Sequence, residues 1–195
     1  KLSFEDWVSM AIGFGFGNKT NLDLYGEEKG LVPNREYMNK KYGKYDWSMG
    51  HLLNFSIGQG EIAVTPIQVI NLINIIANKG YQIQPFLNID NNREVHKIDF
   101  KINTWDTIID YLGAVVNDKK GTGKNAKCKN FTSFGKTGTA QNPHGEDHAW
   151  FSGFAVLESQ DTLSLVVLIE HGGKGSEVAA KISRDIFKFC NKQGI

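Results

Sequence analysis

The chain has 195 residues, 41% of them hydrophobic and 22% charged, and its formal net charge is +1. This length and composition are typical of one globular domain, or a large part of one, with enough apolar residues to bury a core. The nearly neutral charge gives no support for nucleic acid or another polyanion as a partner. No apolar run approaches the length of a membrane span, since the densest, Leu165–Ile169, has the size of a strand.

The cysteines and the first residue are informative about the chain as a whole. Cys128 and Cys190 lie far apart in the sequence and form no Cys-x-x-Cys pair, so we expect two free thiols rather than a disulfide. The chain begins at Lys1 rather than methionine and has no signal-peptide pattern. We therefore expect it to be a segment of a longer protein.

Residues 1–61 are rich in glycine, asparagine, lysine and tyrosine. A short helix is predicted over Phe4–Ile12, because its apolar residues fall on one helical face. A glycine-rich segment ends this helix, and the stretch that follows, through Pro33, is predicted to be an irregular loop with turns. The first part of the chain is therefore expected to be rich in loops.

Residues 62–130 are predicted to be mainly helical. Thr65-Pro66 has the pattern of an N-cap followed by proline at the first helical position, and an apolar stripe continues to Gly80. A short edge strand is predicted over Tyr81–Ile89, which contains a proline. A second helix is predicted over Thr104–Asn117.

Residues 131–195 change to the alternating pattern of strands, with polar loops of hairpin length between them. The predicted strands are Thr132–Gln141, Ala149–Leu157 and Leu163–His171. An amphipathic helix is predicted to follow, with its apolar face formed by Val178, Ile182, Ile186 and Phe189. The two earlier helices can cover one face of this antiparallel sheet, so the predicted fold class is α+β.

The first of these strands contains Lys136-Thr137-Gly138-Thr139, which combines a cation, two hydroxyl groups and a stretch of bare backbone. Lys136 offers a point charge that can attract a carboxylate or lower the pKa of a neighbouring group. Gly138 lets an extended peptide lie against the strand and pair with its backbone. These residues suit the substrate-binding part of an acyl-transfer site, although the tetrapeptide alone also fits an ordinary edge strand with one exposed lysine.

Three further segments accompany this tetrapeptide: Phe14–Gly17, Ser56–Gly60 and His148–Ala155. Together with Lys-Thr-Gly, which recurs in penicillin-recognising serine enzymes, they resemble the C-terminal half of the transpeptidase domain of class B penicillin-binding proteins. The elongation-type penicillin-binding protein 2 is the most similar subgroup. The resemblance covers residues 1–195 and implies part of the penicillin-binding protein and serine β-lactamase-like fold, with this chain as the C-terminal part of a single transpeptidase domain.

The resemblance also implies a function, namely peptidoglycan cross-linking by a D,D-transpeptidase that uses serine acyl transfer and needs no cofactor or metal. It implies catalytic roles for Lys136 and Thr139, with the Thr139 amide as one donor of the oxyanion hole. Thr137, Gly138 and Thr139 are implied to bind substrate, the two threonines holding the terminal carboxylate of a D-Ala-D-Ala stem peptide or of a β-lactam. The expected location is the periplasmic, extracytoplasmic face of the cytoplasmic membrane, with a membrane anchor outside this chain.

The nucleophile of that family lies in a Ser-x-x-Lys at the start of a helix, and this sequence contains that pattern only as Ser133-Phe134-Gly135-Lys136. A serine and a lysine three residues apart on a strand point to opposite faces, so this match is interpreted as accidental. The second family motif, Ser-x-Asn, does not occur in the sequence. We therefore expect the nucleophile to lie upstream of Lys1 and the chain alone to be inactive.

Two other classes of function stay open, namely a penicillin-sensing receptor domain of the same fold and a non-catalytic binding module. Phe14–Gly17 and Ser56–Gly60 favour the enzyme over the receptor. His144 and His148 are predicted to lie in a solvated hairpin loop rather than a zinc site, because Pro143 and Gly145 oppose a helix there.

Two glycine-rich segments were considered as anion sites. Gly121–Lys124 departs from the phosphate-loop pattern and, by the resemblance, is a loop near the active site. Gly172–Gly175 is interpreted as a turn between a strand and a helix.

The edge of the predicted strand Leu163–His171 raises a separate expectation. In the complete fold that the resemblance implies, N-terminal strands lie beside it, and without them its apolar edge is unpaired. We therefore expect self-association through this strand, or its cover by a rearranged segment of residues 1–61.

Overall fold

The computed structural model describes residues 2–88, 94–98 and 104–194 of the chain. Its elements form the predicted α+β fold, in which helices pack on both faces of an antiparallel sheet. Within the described ranges, no helix is both long enough and apolar enough to span a membrane.

The N-terminal part carries three short helices, α1 (Phe4–Gly13), α2 (Arg35–Tyr42) and α3 (Met49–Ser56). The first confirms the predicted helix, whereas α2 and α3 were not predicted. Each of these two has only eight residues, and α2 buries just one side chain, Met38, so neither shows a clear apolar period. The three helices are joined by a small buried cluster of Phe4, Met38, Leu52 and Phe55.

The middle of the chain contains α4 (Pro66–Ala77), the short strands β1 (Tyr81–Ile83) and β2 (Val95–Lys97), and α5 (Trp105–Asn117). Both predicted helices are confirmed, and α4 begins with a capping box between Thr65 and Gln68. The strand predicted over residues 81–89 is shorter than expected, because β1 pairs with β2 for three residues only. Position 89 of that prediction lies outside the described residues.

The central sheet consists of β3 (Thr132–Ala140), β4 (His148–Val156) and β5 (Thr162–Ile169), in that order and antiparallel throughout. All three predicted strands are confirmed. Their register places Thr137 opposite Phe151 and Phe151 opposite Val167. One face of the sheet packs against α4 and α5, and the other packs against the final helix, α6 (Val178–Gln193).

The buried face of α6 is not the predicted one. Val178, Ile182 and Phe189 are exposed, with 39%, 36% and 59% of their surface accessible, and only Ile186 of the predicted stripe packs against the core. The sheet is instead contacted by a neighbouring face that contains Ala179, Ala180, Ser183 and Phe187. Small residues let a helix axis approach a sheet closely, and Phe187 then fills the remaining core volume.

The outer edge of β5 carries no paired strand among the described residues, because β5 ends the sheet. Pairing of this edge with a strand from residues 1–61, one form of the predicted cover, does not occur in the described part of that segment. The other outcome, self-association, stays a prediction.

A pair of phenylalanine substitutions on α6 tests the observed packing. Phe187→Ala removes a fully buried ring from the main core and should lower the free energy of unfolding by about 3–5 kcal/mol. Phe189→Ala, on the exposed side of the same helix, should change it by less than about 1 kcal/mol. Denaturant unfolding of both variants measures the difference, and a reversed order would restore the face predicted from sequence.

Candidate active site

The tetrapeptide Lys136-Thr137-Gly138-Thr139 lies in the second half of β3, which pairs with β4 on one side and with no strand among the described residues on the other. Alternation along the strand places Lys136 and Gly138 on the face towards α4 and α5, with Phe134, whose ring stacks on Phe154. Thr137 and Thr139 lie on the face towards α6. The strand therefore presents its cation and its hydroxyl groups on different faces, with the backbone edge between them.

The backbone edge of β3 is occupied by side chains at three positions. The carbonyl oxygen of Ser133 accepts a hydrogen bond of 2.9 Å from Asn117 Nδ2, that of Thr137 one of 2.8 Å from Lys136 Nζ, and that of Thr139 one of 3.3 Å from Gln59 Nε2. In an antiparallel strand, the N–H and C=O of one residue point to the same edge. The amides of Thr137 and Thr139 are therefore directed outwards with these carbonyls.

The Thr137 hydroxyl is held by the loop after α5. Thr137 Oγ1 donates to Thr122 Oγ1 at 3.0 Å, so the Gly121–Lys124 loop reaches the tetrapeptide, as the family resemblance implied. Hydroxyl groups rotate and can exchange donor and acceptor roles. When Thr122 donates instead, the Thr137 proton is released for a ligand.

The Thr139 hydroxyl is held by the turn before α6. Thr139 Oγ1 accepts a bond of 3.4 Å from the Gly175 amide, which leaves its own proton able to point at a ligand. Gly175 packs directly on the carbonyl oxygens of Gly138 and Trp150, and a Cβ at this position would clash with both. Gly172–Gly175 is thus the predicted turn, and it packs against the tetrapeptide on the face of the sheet towards α6.

Lys136 is exposed, and none of the ion pairs among the described residues includes it. Its ammonium group is held only by the neighbouring Thr137 carbonyl oxygen. A bond to a neutral acceptor leaves most of the charge uncompensated, so the ammonium group is able to attract an anion.

An apolar cavity of about 420 Å³ opens beside Gly138 and Thr139, on the face towards α4. Its wall on the sheet includes Trp150 and Leu168, and its other wall is formed by residues between Ile57 and Val69. A Cβ on Gly138 would come within 3.2 Å of Trp150 Cβ, so glycine keeps this part of the strand accessible.

The wall of this cavity nearest the strand edge is a tight turn, Gly58-Gln59-Gly60. Both glycines have positive φ, +76° and +81°, and the Gln59 amide donates to the Asn54 carbonyl oxygen at 2.9 Å. The next residue, Glu61, is fixed by the hydrogen bonds that its carboxylate accepts from Lys41 and Tyr42 of α2. Although burial raises the pKa of Glu61, these bonds outweigh it and hold that pKa below its ordinary value.

The remaining candidate residues are kept away from the tetrapeptide chemistry. Ser133 is fully buried, and its hydroxyl donates to the Ala126 carbonyl oxygen at 3.0 Å, so it is a strand residue as interpreted. His144 lies in the β3–β4 hairpin loop, as predicted, but the prediction is wrong for His148, which is the first residue of β4 and accepts a bond of 3.0 Å from the His171 amide at Nδ1. Among the described residues, no group of side chains could hold a metal ion. Both cysteines are free thiols, and burial raises the pKa of Cys128.

Sequence reasoning named the tetrapeptide but missed the three side chains that organise it, Asn117, Thr122 and Gln59. Ser56–Gly60 was recognised only as a motif, and no contact with β3 was predicted for it. Gln59 is 80 residues away from Thr139 in the sequence. Nothing in local periodicity could connect two residues so far apart.

Residues 1–188 match the family described as penicillin binding protein transpeptidase domain. The peptidoglycan D,D-transpeptidase MrdA of Haemophilus influenzae is 30% identical over 214 residues, which cover 92% of this chain and 32% of that protein. Against the MrdA proteins of Acinetobacter baumannii and Escherichia coli, the chain likewise spans about a third of the relative's length, 29% and 30%.

Solved structures agree. The penicillin-binding protein PBP2 of Helicobacter pylori, in complex with MreC, superposes with a TM-score of 0.82 at 29% identity and covers 96% of this chain and 36% of its own. PBP2 of Pseudomonas aeruginosa, in complex with WCK 5153, gives 0.81 at 32% identity and covers 95% and 42%. The chain therefore belongs to the penicillin-binding protein transpeptidase domain family and is similar to its PBP2-type members.

Proposed function

We propose that this chain is the C-terminal part of a D,D-transpeptidase domain that cross-links peptidoglycan by serine acyl transfer, and that the serine is supplied by an upstream segment. The observation that carries the proposal is the outward-facing edge of β3, along which the Thr139 amide is directed outwards, with the Thr137 and Thr139 hydroxyl groups on one face of the strand and the Lys136 ammonium group on the other. Membership of the family and similarity to MrdA proteins support the reaction class.

Each part of the strand has a distinct task in this proposal. The substrate peptide, or a β-lactam, lies extended along β3, and its carbonyl oxygen accepts from the Thr139 amide, which stabilises negative charge in the transition state. The Thr137 and Thr139 hydroxyl groups hold the terminal carboxylate. Lys136 faces the side of the sheet where no described residue offers it an acidic partner, and its charge serves the incoming nucleophile.

The nucleophile is proposed to come from outside the chain because Ser133 cannot serve. Its hydroxyl is buried on the opposite face from Lys136 and is already bonded to the backbone. By the same resemblance, residues 1–61, 62–130 and 131–195 are proposed as parts of one transpeptidase domain. The anchored parent is proposed to act at the extracytoplasmic face of the cytoplasmic membrane.

A receptor domain that only senses penicillin remains the alternative, since it would use the same strand. A transpeptidase must release its acyl group to a second peptide, whereas a receptor keeps it. The rate at which the longer protein transfers its acyl group to a second peptide therefore distinguishes the two.

The first prediction concerns the chain by itself. Because Ser133, the serine of the chain's one Ser-x-x-Lys pattern, is buried on the face opposite Lys136, incubation with a fluorescent penicillin should give no covalent adduct. Intact-mass spectrometry checks this result, and denatured protein serves as the control for non-specific labelling. An adduct located on Ser133 would contradict the proposal.

The second prediction concerns the longer protein that the proposal implies. Thr137→Val or Thr139→Val removes a hydroxyl donor at nearly constant volume and should weaken transition-state binding in acylation by about 1–3 kcal/mol. Thr132→Val, at the exposed start of the same strand, is the matched control and should acylate normally. Stopped-flow acylation rates make the comparison, and unchanged rates in both site variants would refute the assigned roles.

A second candidate function is self-association, which we propose to occur through β5. Its outer edge carries no strand among the described residues, and Ile182 and Phe189 expose apolar surface on the adjoining helix α6. Unpaired backbone groups beside apolar side chains favour the addition of another strand.

The third prediction follows from that surface. Sedimentation of the chain should show a dimer whose fraction rises with concentration, and Ile182→Lys should shift the equilibrium towards monomer. Lys181→Gln, at an exposed neighbouring position, should leave it unchanged. A monomer at every concentration would rule out the proposed contact.

A further inference from the structure

The function of the motif Ser56–Gly60 is not explained by the proposed chemistry, and the structure connects it to the active strand. Gln59 is half-buried, and its Nε2 donates to the Thr139 carbonyl oxygen at 3.3 Å. Thr139 is the residue whose outward amide the proposed reaction requires. The contact therefore joins a separate segment of the chain to the residue that donates to the substrate carbonyl in the proposed reaction.

The backbone around Gln59 is built to present this side chain. Positive φ at both Gly58 and Gly60 bends the chain sharply on either side of it, and the Gln59 amide is tied back to the end of α3. A Cβ on Gly60 would lie 3.0 Å from the ring of Phe55, which belongs to the buried cluster of the N-terminal helices. Glu61 then anchors the chain to α2 through Lys41 and Tyr42. The turn is fixed on both sides, so the amide group is held in place.

The edge of β3 shows why a fixed donor at Thr139 matters. Asn117 occupies the Ser133 carbonyl at one end, itself supported by a second bond of 2.8 Å to the Gly113 carbonyl oxygen. Gln59 occupies the Thr139 carbonyl at the other end. Between these two carbonyls, no strand of the described part of the chain pairs with the edge, and the Lys136 ammonium group bonds to the Thr137 carbonyl oxygen.

We propose that Gln59 is a positioning residue for the transpeptidase reaction. Its side chain ends the open section of the β3 edge at Thr139. It also holds Thr139 so that the Thr139 amide faces the substrate carbonyl. The inference rests on the proposed function and deepens it. Gln59 acts through Thr139 and does not touch the reacting atoms. Gln59 also lines the apolar cavity beside Gly138 and Thr139.

Two substitutions separate hydrogen bonding from packing. Gln59→Met keeps the length and volume of the side chain but removes the donor, while Gln59→Glu replaces the donor by a carboxylate that faces a carbonyl oxygen. Gln193→Met is the matched control, since Gln193 is exposed at the end of α6. The Gln59→Met substitution should make the longer protein react about tenfold more slowly with a β-lactam. The loss should appear in the acylation rate constant rather than in initial binding.

The Glu variant supplies a readout that simple loss of packing cannot reproduce. A protonated carboxyl group regains an O–H donor, so acylation by Gln59→Glu relative to the wild type should recover as the pH falls towards the carboxyl pKa of about 4.3. The ratio for Gln59→Met should stay constant over the same range. Equal pH profiles for both variants, or a tenfold loss in the Gln193→Met control, would overturn the positioning role.

A measurement on the chain itself keeps this inference apart from the proposed function. Amide NMR spectra of Gln59→Met should show shifted signals at Thr139 and Ala140, on either side of the lost contact, whereas Gln193→Met should not. Unchanged signals at both residues would overturn the contact, whatever the activity. A different result is that the signals shift while the wild-type longer protein fails to acylate. That result would overturn the proposed function and the role of Gln59 in acylation, but Gln59 would still be the support of Thr139.

Discussion

The open edge of β3 is the constraint on which the rest of this structure depends. An acyl-transfer strand has to offer backbone donors and acceptors to a substrate, yet unpaired backbone groups readily recruit other strands and gain stability when they are satisfied. The chain resolves this conflict by saturating the two ends of the edge with side-chain amides, from Asn117 and Gln59, and leaving the middle accessible. In the proposed function, the short open section that remains suits an extended peptide rather than a whole sheet.

Holding that edge in place requires support from both faces of the sheet. Gly175 lets the turn before α6 lie directly on the backbone of Gly138, and its amide orients the Thr139 hydroxyl. On the loop side, Thr122 orients Thr137. The close approach of α6 is possible because its inner face carries alanine and serine, so the packing of the last helix and the geometry of the site follow from the same small residues.

Much of the fold followed from sequence because its signals are local. The N-cap at Thr65, the alternation in β3, β4 and β5, and the period of α5 all specify an element from neighbouring residues alone. The predicted face of α6 is wrong because the helical spacing of its larger apolar residues indicates one face, whereas the small Ala179 and Ala180 on the neighbouring face are the ones in the core. The tetrapeptide was found from its motif, but its contacts with Gln59 and Asn117 join distant parts of the chain and are decided by tertiary packing.

The two edges of the sheet differ in a way that assigns them to different kinds of partner. Along β3, glycine and polar side chains flank the edge, and lysine, asparagine and glutamine occupy its carbonyl groups. Such an edge exchanges one set of hydrogen bonds for another when a peptide binds, so binding is governed by geometry and charge. Along β5, Leu165, Val166 and Leu168 are half-buried, and exposed apolar residues of α6 adjoin them. Covering that edge removes apolar surface from water, which favours a permanent protein partner over a transient substrate. Under the two proposals, the three-stranded sheet therefore offers one edge to substrate and the other to a protein partner, and the side chains next to each strand, rather than the backbone, account for the difference.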